Sequence, residues 1–121
     1  MYDHIGLKVA DLETSVGFYS AILAELGHVV GSRGDGYAGI GPRDAPALWL
    51  YESSGRGPGA HVAFTAASRA AVDRFYAQGL KAGGRDNGKP GPRPDYGPTY
   101  YAAFLIDPDG NNVEAVCYAA A

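Results

Sequence analysis

The chain has 121 residues, of which 46% are hydrophobic and 19% charged, values ordinary for one small globular domain. A net charge of −3 excludes the basic footprint of a protein that binds nucleic acid or an anionic membrane. We expect no secretion signal and no membrane span, because the start MYDHIG has neither a basic nor an apolar region and no apolar run is long enough. The single cysteine, Cys117, forms no internal disulfide, which is typical of a cytoplasmic protein.

The first fifty residues predict a strand, a helix and further strands. Tyr2–Val9 alternates between apolar and polar residues, which is the period of a half-buried strand. Asp11 is then a plausible N-cap, and Gly27 is suited to end the helix. The helix is predicted from apolar residues at steps of three and four: Leu12, Val16, Tyr19, Leu23 and Leu26. Residues 28–41 suggest two brief strands, and Ala47–Tyr51 is a further strand.

Ser53–Ala60 has the composition of a linker and divides the chain into module one (residues 1–52) and module two (residues 61–121) of one domain. Module two begins with the strand His61–Thr65, and Ser68 is the N-cap candidate of its helix. The stripe of that helix is Val72, Phe75, Tyr76 and Leu80. Residues 85–99 hold too many prolines and glycines for regular structure and predict a long loop, either a functional lid or a mobile segment. A hairpin of Tyr100–Ile106 and Val113–Tyr118 completes the module.

Module two repeats module one. When the sequence is shifted by about 57 positions, HVAFTAASRAAVDRFYAQGL aligns with HIGLKVADLETSVGFYSAIL. His4 then matches His61, and Phe18–Tyr19 matches Phe75–Tyr76. We therefore predict an α+β fold of paired βαβββ modules, with a curved mixed sheet around a cleft, helices outside, and one histidine from each module at the shared seam.

Three side chains are candidates for a metal centre in that cleft. His4 and His61 lie on the strand faces opposite the large apolar residues, and Glu114 alternates with the core positions of the last strand if Cys117 is buried. Two imidazoles and one carboxylate suit a divalent ion such as Zn, Fe(II), Mn or Ni, with open positions for water or substrate. The alternative is that these are structural histidines and an exposed carboxylate. For His28, which lies outside the repeat, the structural interpretation is preferred.

Other residues are candidates for contacts with a substrate. Trp49 and Tyr51 offer an aromatic wall, and Glu52 is largely rejected as a fourth ligand because it shares the core face of its strand. If the DPDG turn pairs Asp107 with Asn112, Tyr101 shares the face of Glu114 and can act with it as an acid or base. The remaining candidates for substrate binding lie on or beside the 85–99 loop: Arg93, Tyr96 and Tyr100.

The motifs DHIGLKVADLETSVGFYSAILAELG, HVAFTAASRAAVDRFYAQGLKAGG and FLIDPDGNNVEAV together resemble the vicinal oxygen chelate superfamily. This superfamily includes glyoxalase I, extradiol dioxygenases, fosfomycin-resistance transferases and bleomycin-resistance proteins. The resemblance covers nearly the whole chain and is greatest to small glyoxalase-like bacterial members. It implies paired βαβββ modules, a homodimer and a divalent ion on the inner sheet face. His4, His61 and Glu114 match its metal ligands.

The resemblance implies an enzyme with lyase, isomerase or transferase chemistry on a small metal-chelated substrate. The alternative is a metal-free binding or sequestering protein of the bleomycin-resistance type. Glyoxalase I carries a carboxylate at the end of its first module, where this chain has an aromatic-rich strand. Lactoylglutathione lyase activity is therefore disfavoured.

Overall fold

The computed structural model describes residues 2–54 and 59–120, so residues 55–58 of the predicted linker lie outside the described residues. The described chain forms two βαβββ modules, which confirms the predicted α+β fold. Its elements are β1 (Ile5–Val9), α1 (Leu12–Ala24), β2 (Val29–Gly34), β3 (Tyr37–Gly41), β4 (Leu48–Glu52), β5 (His61–Thr65), α2 (Arg69–Lys81), β6 (Arg85–Pro92), β7 (Tyr101–Ile106) and β8 (Asn112–Cys117). Within these ranges, neither helix has the length and apolarity that crossing a membrane requires.

Each module builds a four-stranded sheet of the same topology. The strand orders are β1-β4-β3-β2 and β5-β8-β7-β6, with β1 parallel to β4 and β5 parallel to β8. The first strand of each module is therefore an edge strand of its sheet. His4 immediately precedes the edge strand β1, and His61 is the first residue of the edge strand β5.

Both helices begin at the predicted caps. The Asp11 carboxylate accepts a hydrogen bond from the Thr14 amide at 2.9 Å, and the Ser68 hydroxyl accepts one from the Ala71 amide at 3.1 Å. These bonds satisfy amides that have no partner within a helix. Gly27 has φ +88°, the left-handed conformation predicted beyond the end of α1.

The two helices pack against each other and against one face of each sheet. Phe18, Tyr19 and Phe75 are fully buried there. Gly79 permits the close approach, because a Cβ atom at this position would lie 3.1 Å from the Ile22 side chain. Leu80 was predicted in the buried stripe but is 42% exposed. The buried residue of this last turn of α2 is Gly79 instead. The other face of each sheet is left to carry the candidate functional residues.

The prediction of an irregular loop over residues 85–99 was wrong for its first half, where Arg85–Pro92 forms β6. Among the described strands, β6 pairs only with β7, so its other edge is free. Prolines lack an N–H group and are tolerated at such an edge, where no strand needs that donor. Irregularities in the pairing between Asp86 and Gly88, and between Gly88 and Gly91, accommodate the remaining residues. The composition indicated a loop because an edge strand with bulges tolerates the glycines and prolines that are typical of loops.

The predicted register of the last hairpin was wrong by one residue. Asn112 pairs with Ile106 rather than with Asp107, so Glu114 lies opposite Phe104 and not Leu105. Side chains alternate along a strand, so a shift of one residue moves Tyr101 to the helix face. The Tyr101 hydroxyl accordingly donates to the Asp73 carboxylate of α2, at 2.7 Å.

A buried carboxylate in the β7–β8 turn joins the two modules. Asp107 is 2% exposed and accepts hydrogen bonds from the Tyr19 hydroxyl of α1 at 2.5 Å and from the Asn111 amide at 2.7 Å. Asp109 of the same turn accepts from the Ala10 amide at 2.8 Å and the Ser15 hydroxyl at 3.1 Å. Burial, followed by the charge of Asp107, raises the pKa of Tyr19 far above its usual range. We propose on this basis that the modules fold as one domain.

Replacing Tyr19 with Phe is expected to destabilise the whole chain. The change leaves the buried Asp107 carboxylate without one donor, and a hydrogen bond to a charged group contributes about 1.5–3 kcal/mol. Urea denaturation followed by circular dichroism should show a loss of that size in the free energy of unfolding, in a single transition.

The control is Tyr2→Phe, because Tyr2 is 82% exposed, and its effect should stay within about 0.5 kcal/mol. Two separate transitions in the Tyr19→Phe variant would contradict the single domain.

Candidate functional site

Glu114 is the centre of the candidate site. It lies on β8 opposite Ala63 of β5 and Phe104 of β7, and it is only 2% exposed. A buried carboxylate needs partners, and each of its oxygens has one. His61 Nε2 lies 3.1 Å from Oε1, and the Tyr100 hydroxyl donates a hydrogen bond to Oε2.

The other nitrogen of His61 also faces an oxygen atom. Nδ1 lies 3.2 Å from the Asn112 carbonyl, while Nε2 faces Glu114. A neutral imidazole has one N–H and cannot donate to both oxygens. Two arrangements satisfy both contacts. In the first, the ring is an imidazolium and donates from both nitrogens. In the second, Nδ1–H donates to the Asn112 carbonyl, and a cation lies between Nε2 and the Glu114 carboxylate.

The spacing of these two atoms fits a shared divalent ion. Metal–nitrogen and metal–oxygen bonds of about 2.0–2.2 Å at tetrahedral or octahedral angles place two ligand atoms about 2.9–3.4 Å apart. The observed Nε2–Oε1 distance of 3.1 Å lies in that range. A carbonyl that accepts from the second ring nitrogen is also the usual neighbour of a metal-binding histidine. His61 and Glu114 therefore fit half of a metal site.

His4 does not join this pair within the single chain. Its Nδ1 contacts the Asp3 carboxylate at 2.7 Å, which leaves Nε2 available, and its side chain is 56% exposed. In residues 2–54 and 59–120 no group of three or more His, Cys, Asp or Glu side chains is close enough to hold a metal ion. The predicted triad is thus divided between the two modules. In both histidines it is Nδ1 that contacts a neighbouring oxygen, so Nε2 does not bond to the backbone in these contacts.

Aromatic rings surround Glu114. The Tyr100 ring lies edge-on between Tyr96 and Tyr118, with centroid distances of 5.3 and 5.2 Å. Phe104 stacks on His61 at 6.4 Å, and the Arg93 guanidinium lies 5.5 Å from the Phe104 ring centroid. Arg93, Tyr96 and Tyr100 were predicted as substrate contacts, and they do come together here. Sequence reasoning missed the bond from Tyr100 to Glu114, because it depends on the register of the hairpin.

The corresponding face of the first sheet carries Trp49 and Tyr51, also predicted as substrate contacts. Their rings lie over glycines. A Cβ atom on Gly39 would approach the Trp49 ring to 2.7 Å, and one on Gly6 would approach the Tyr51 ring to 3.2 Å. Tyr37 lies over Gly34 in the same way. The glycines on the neighbouring strands were a sequence signal for the position of these rings, and the sequence analysis did not use that signal.

Two further candidates are occupied elsewhere. Tyr101, predicted to act with Glu114, lies on the helix face against Asp73, and the Arg69 guanidinium is 4.8 Å from its ring centroid. Glu52 accepts a hydrogen bond from the Leu12 amide at 3.0 Å, so its carboxylate stabilises the start of α1.

The fold and the half-site define a small doubled βαβββ protein with a histidine–carboxylate pair on one inner face. The model of the Glyoxalase/Bleomycin resistance protein/Dioxygenase superfamily matches residues 2–115. The chain belongs to this superfamily. Members of the superfamily typically bind a divalent metal ion and act on small molecules.

Solved structures with the same fold include a glyoxalase/bleomycin resistance protein from Albidiferax ferrireducens T118. It is 31% identical, with 97% of this chain and 98% of that chain covered and a TM-score of 0.83. A glyoxylase/bleomycin resistance protein/dioxygenase domain from Frankia sp. EAN1pec is 25% identical, with 94% of both chains covered and a TM-score of 0.68. A glyoxalase-related enzyme from Fulvimarina pelagi is 18% identical, with 93% of this chain and 84% of that chain covered and a TM-score of 0.72. No curated protein gives a significant match.

The bond between Tyr100 and Glu114 predicts a stability change at alkaline pH. Burial and the adjacent carboxylate raise the pKa of Tyr100 above its usual value. Because the unfolded-state pKa is about 10, the stabilisation is fully present below that pH and is lost as the pH rises further. The free energy of unfolding should therefore fall less steeply between about pH 9.5 and pH 11 in Tyr100→Phe than in the unaltered protein.

Urea denaturation across this pH range measures both slopes, and the exposed Tyr2→Phe change serves again as the control. Equal slopes for Tyr100→Phe and the unaltered protein would show that the hydroxyl does not bond to the carboxylate in solution.

Proposed function

We propose that the protein is a divalent-metal-dependent enzyme that acts on a small, oxygen-bearing substrate by lyase, isomerase or transferase chemistry. The observation that carries this proposal is the 3.1 Å approach of His61 Nε2 to the buried Glu114 carboxylate, with Nδ1 of the ring near a backbone carbonyl. Burying a carboxylate costs free energy unless its charge is paired. The Glu114 carboxylate and the oriented His61 imidazole are therefore well suited to holding a cation.

His4 is proposed as the third ligand. It matches His61 in the repeat, and its Nδ1 is likewise next to an oxygen, that of Asp3. Since His4 precedes one edge strand and His61 begins another, two copies of the chain can bring His4 of one beside the pair of the other. We therefore propose a homodimer. The free thiol of Cys117 is buried and fits the proposed cytoplasmic location.

A bound divalent ion supplies a Lewis acid that polarises a substrate oxygen or lowers the pKa of bound water. The chain's own residues do the rest. Tyr100 holds the Glu114 carboxylate through Oε2 and leaves Oε1 directed at His61. Arg93 lies beside Phe104 and can neutralise an anionic substrate group, while the exposed Tyr96 and Tyr118 rings flank Tyr100 and can contact the substrate. If the ion does not occupy the Glu114 carboxylate, this group is the base beside His61 that can accept a proton from the substrate.

Metal binding tests the proposal directly. Isothermal titration of the metal-free protein with Zn²⁺, Mn²⁺, Ni²⁺ and Fe²⁺ should show one ion per chain for at least one of these metals. Glu114→Gln and His61→Asn should each weaken binding by more than about 100-fold, since changes in the surrounding shell alone cost about 10–100-fold.

Two carboxylate variants are matched controls. Asp35→Asn changes an acidic residue in the β2–β3 turn, and Glu52→Gln keeps an oxygen for the Leu12 amide, so both should leave the affinity within about twofold. Absence of binding to all four ions, or full binding by the Glu114→Gln variant, would exclude the metal centre. Sedimentation equilibrium of the loaded protein should give a dimer, and a monomer with full affinity would refute the shared site.

The flat rings of the first sheet support a second candidate function, which is metal-free binding of a planar ligand. Trp49 is the single tryptophan, so its fluorescence reports on this face alone. Metal-free bleomycin is the probe, because the Albidiferax ferrireducens relative is called a glyoxalase/bleomycin resistance protein. If the protein sequesters such ligands, titration should give a saturable change, and His4→Ala and Glu114→Ala should leave the dissociation constant nearly unchanged.

Gly39→Ala should weaken this binding by about tenfold or more, because the added methyl group displaces the Trp49 ring that would stack on the ligand. Gly17→Ala is the matched control, since a Cβ atom there meets no other group within 4 Å. An unchanged fluorescence, or binding that requires His4 and Glu114, would exclude the sequestering function.

A further inference from the structure

The two oxygens of the Glu114 carboxylate face different groups. Oε1 is the oxygen that approaches His61 Nε2, at 3.1 Å, and Oε2 accepts a hydrogen bond from the Tyr100 hydroxyl. The Glu114 side chain is buried, so water has little access to replace either partner. One oxygen is therefore directed at the imidazole, and the other is engaged by a donor on a different side.

Tyr100 is held in place by contacts other than its bond to the carboxylate. Its ring meets those of Tyr96 and Tyr118 edge to face, with centroid distances of 5.3 and 5.2 Å. Its amide donates to the Gly97 carbonyl at 3.3 Å, and its carbonyl accepts from the Arg93 amide at 2.8 Å. The hydroxyl is thus positioned by the packing of the tyrosine itself, and a rotation of the carboxylate would break the hydrogen bond.

This hydrogen bond restricts how the carboxylate can bind an ion. A carboxylate binds a metal through one oxygen or through both. To present both oxygens to an ion on His61 Nε2, the Glu114 carboxylate would have to turn and bring Oε2 towards the imidazole. Such a turn costs the hydrogen bond from Tyr100, and a bond to a charged group is among the stronger ones in proteins. The observed arrangement therefore favours binding through Oε1 alone.

The size of the ion decides which of the two modes it accepts. Zn²⁺ in proteins has about four ligands at short bond lengths and is readily satisfied by one oxygen of a carboxylate. Larger ions have longer bonds and more ligands, and they commonly take both oxygens, as Ca²⁺ does. A carboxylate held to one oxygen thus favours a small ion over a large one.

We propose that Tyr100 is a positioning residue that sets the metal selectivity of the site. By holding Oε2 it limits Glu114 to a single metal–oxygen bond, and so the site selects ions of the size of Zn²⁺ over larger divalent ions. This inference rests on the proposed metal centre, which it deepens by assigning the class of ion and the residue that chooses it.

Zn²⁺ and Cd²⁺ are the probes, because they have the same charge and the same filled d shell, and Cd²⁺ is the larger ion. Isothermal titration of the full chain should show tighter binding of Zn²⁺. In Tyr100→Phe, the ratio of the Cd²⁺ to the Zn²⁺ dissociation constant should fall by about tenfold or more, because two-oxygen binding no longer breaks a hydrogen bond. A purely structural role of Tyr100 would weaken both ions in parallel and leave this ratio unchanged.

Tyr101→Phe is the matched control. It makes the same substitution at the next residue and also removes a hydrogen bond from a phenol to a carboxylate, that of Asp73, but on the helix face of the sheet. The ratio of the two dissociation constants should stay within about twofold. Circular dichroism establishes that both variants are folded.

Infrared spectroscopy tests the same proposal without a substitution. The asymmetric and symmetric stretches of a carboxylate are widely separated when one oxygen binds a metal and closer together when both do. The difference spectrum between Zn²⁺-loaded and metal-free protein, with glutamate labelled with carbon-13, should show the wide separation. The Cd²⁺-loaded Tyr100→Phe variant should show the narrow one.

An unchanged ratio in Tyr100→Phe overturns the proposal, as does two-oxygen binding in the Zn²⁺-loaded unaltered protein. If Tyr100→Phe does not fold, the infrared result decides. These failures would leave the metal centre intact, because the ions still bind. Absence of Zn²⁺ binding also overturns the selectivity, and the titrations with Mn²⁺, Ni²⁺ and Fe²⁺ then decide separately whether a metal centre exists.

Discussion

The Asp107 carboxylate is the interaction on which the arrangement of the two modules depends. It lies in the turn between β7 and β8, yet it accepts a hydrogen bond from Tyr19 in the helix of the other module. Neighbouring Asp109 binds the Ala10 amide and the Ser15 hydroxyl at the start of the same helix. The other donors to Asp107 come from its own turn, so a movement of the hairpin relative to α1 would cost this buried carboxylate the Tyr19 hydroxyl. Since β8 follows this turn directly, the same contacts position Glu114.

The doubled architecture explains why the candidate site is divided. Each module places a histidine at the start of its edge strand, but only module two adds a buried carboxylate beside it. In module one, Trp49 pairs with Gly6 as Glu114 pairs with Ala63 in module two, and Glu52 is directed to the first turn of α1. Module two thus offers the histidine–carboxylate pair that we propose as ligands, and module one offers a single imidazole. This asymmetry favours a site completed by bringing different modules together over two independent sites.

The aromatic residues have different roles on the two inner faces. On the first sheet, the Trp49 and Tyr51 rings lie over glycines, with Trp49 half-buried beside Tyr37 and Tyr51 exposed. On the second sheet, Tyr96, Tyr100 and Tyr118 meet edge to face around a carboxylate, where the hydroxyl of Tyr100 matters more than its ring. The first face is suited to stacking and the second to holding a charged centre.

The sequence alone determined the repeat, the helix caps at Asp11 and Ser68, and the face of the last strand that carries Glu114, because periodicity and capping are local properties of the chain. It failed for Tyr101 and for β6. The turn between β7 and β8 is longer by one residue than predicted, which puts Tyr101 on the opposite sheet face from Glu114, and an edge strand with bulges has the composition of a loop. Only the tertiary structure decided that His61 meets Glu114 while His4 does not, because the positions of residues far apart in the chain depend on how the sheets and helices pack.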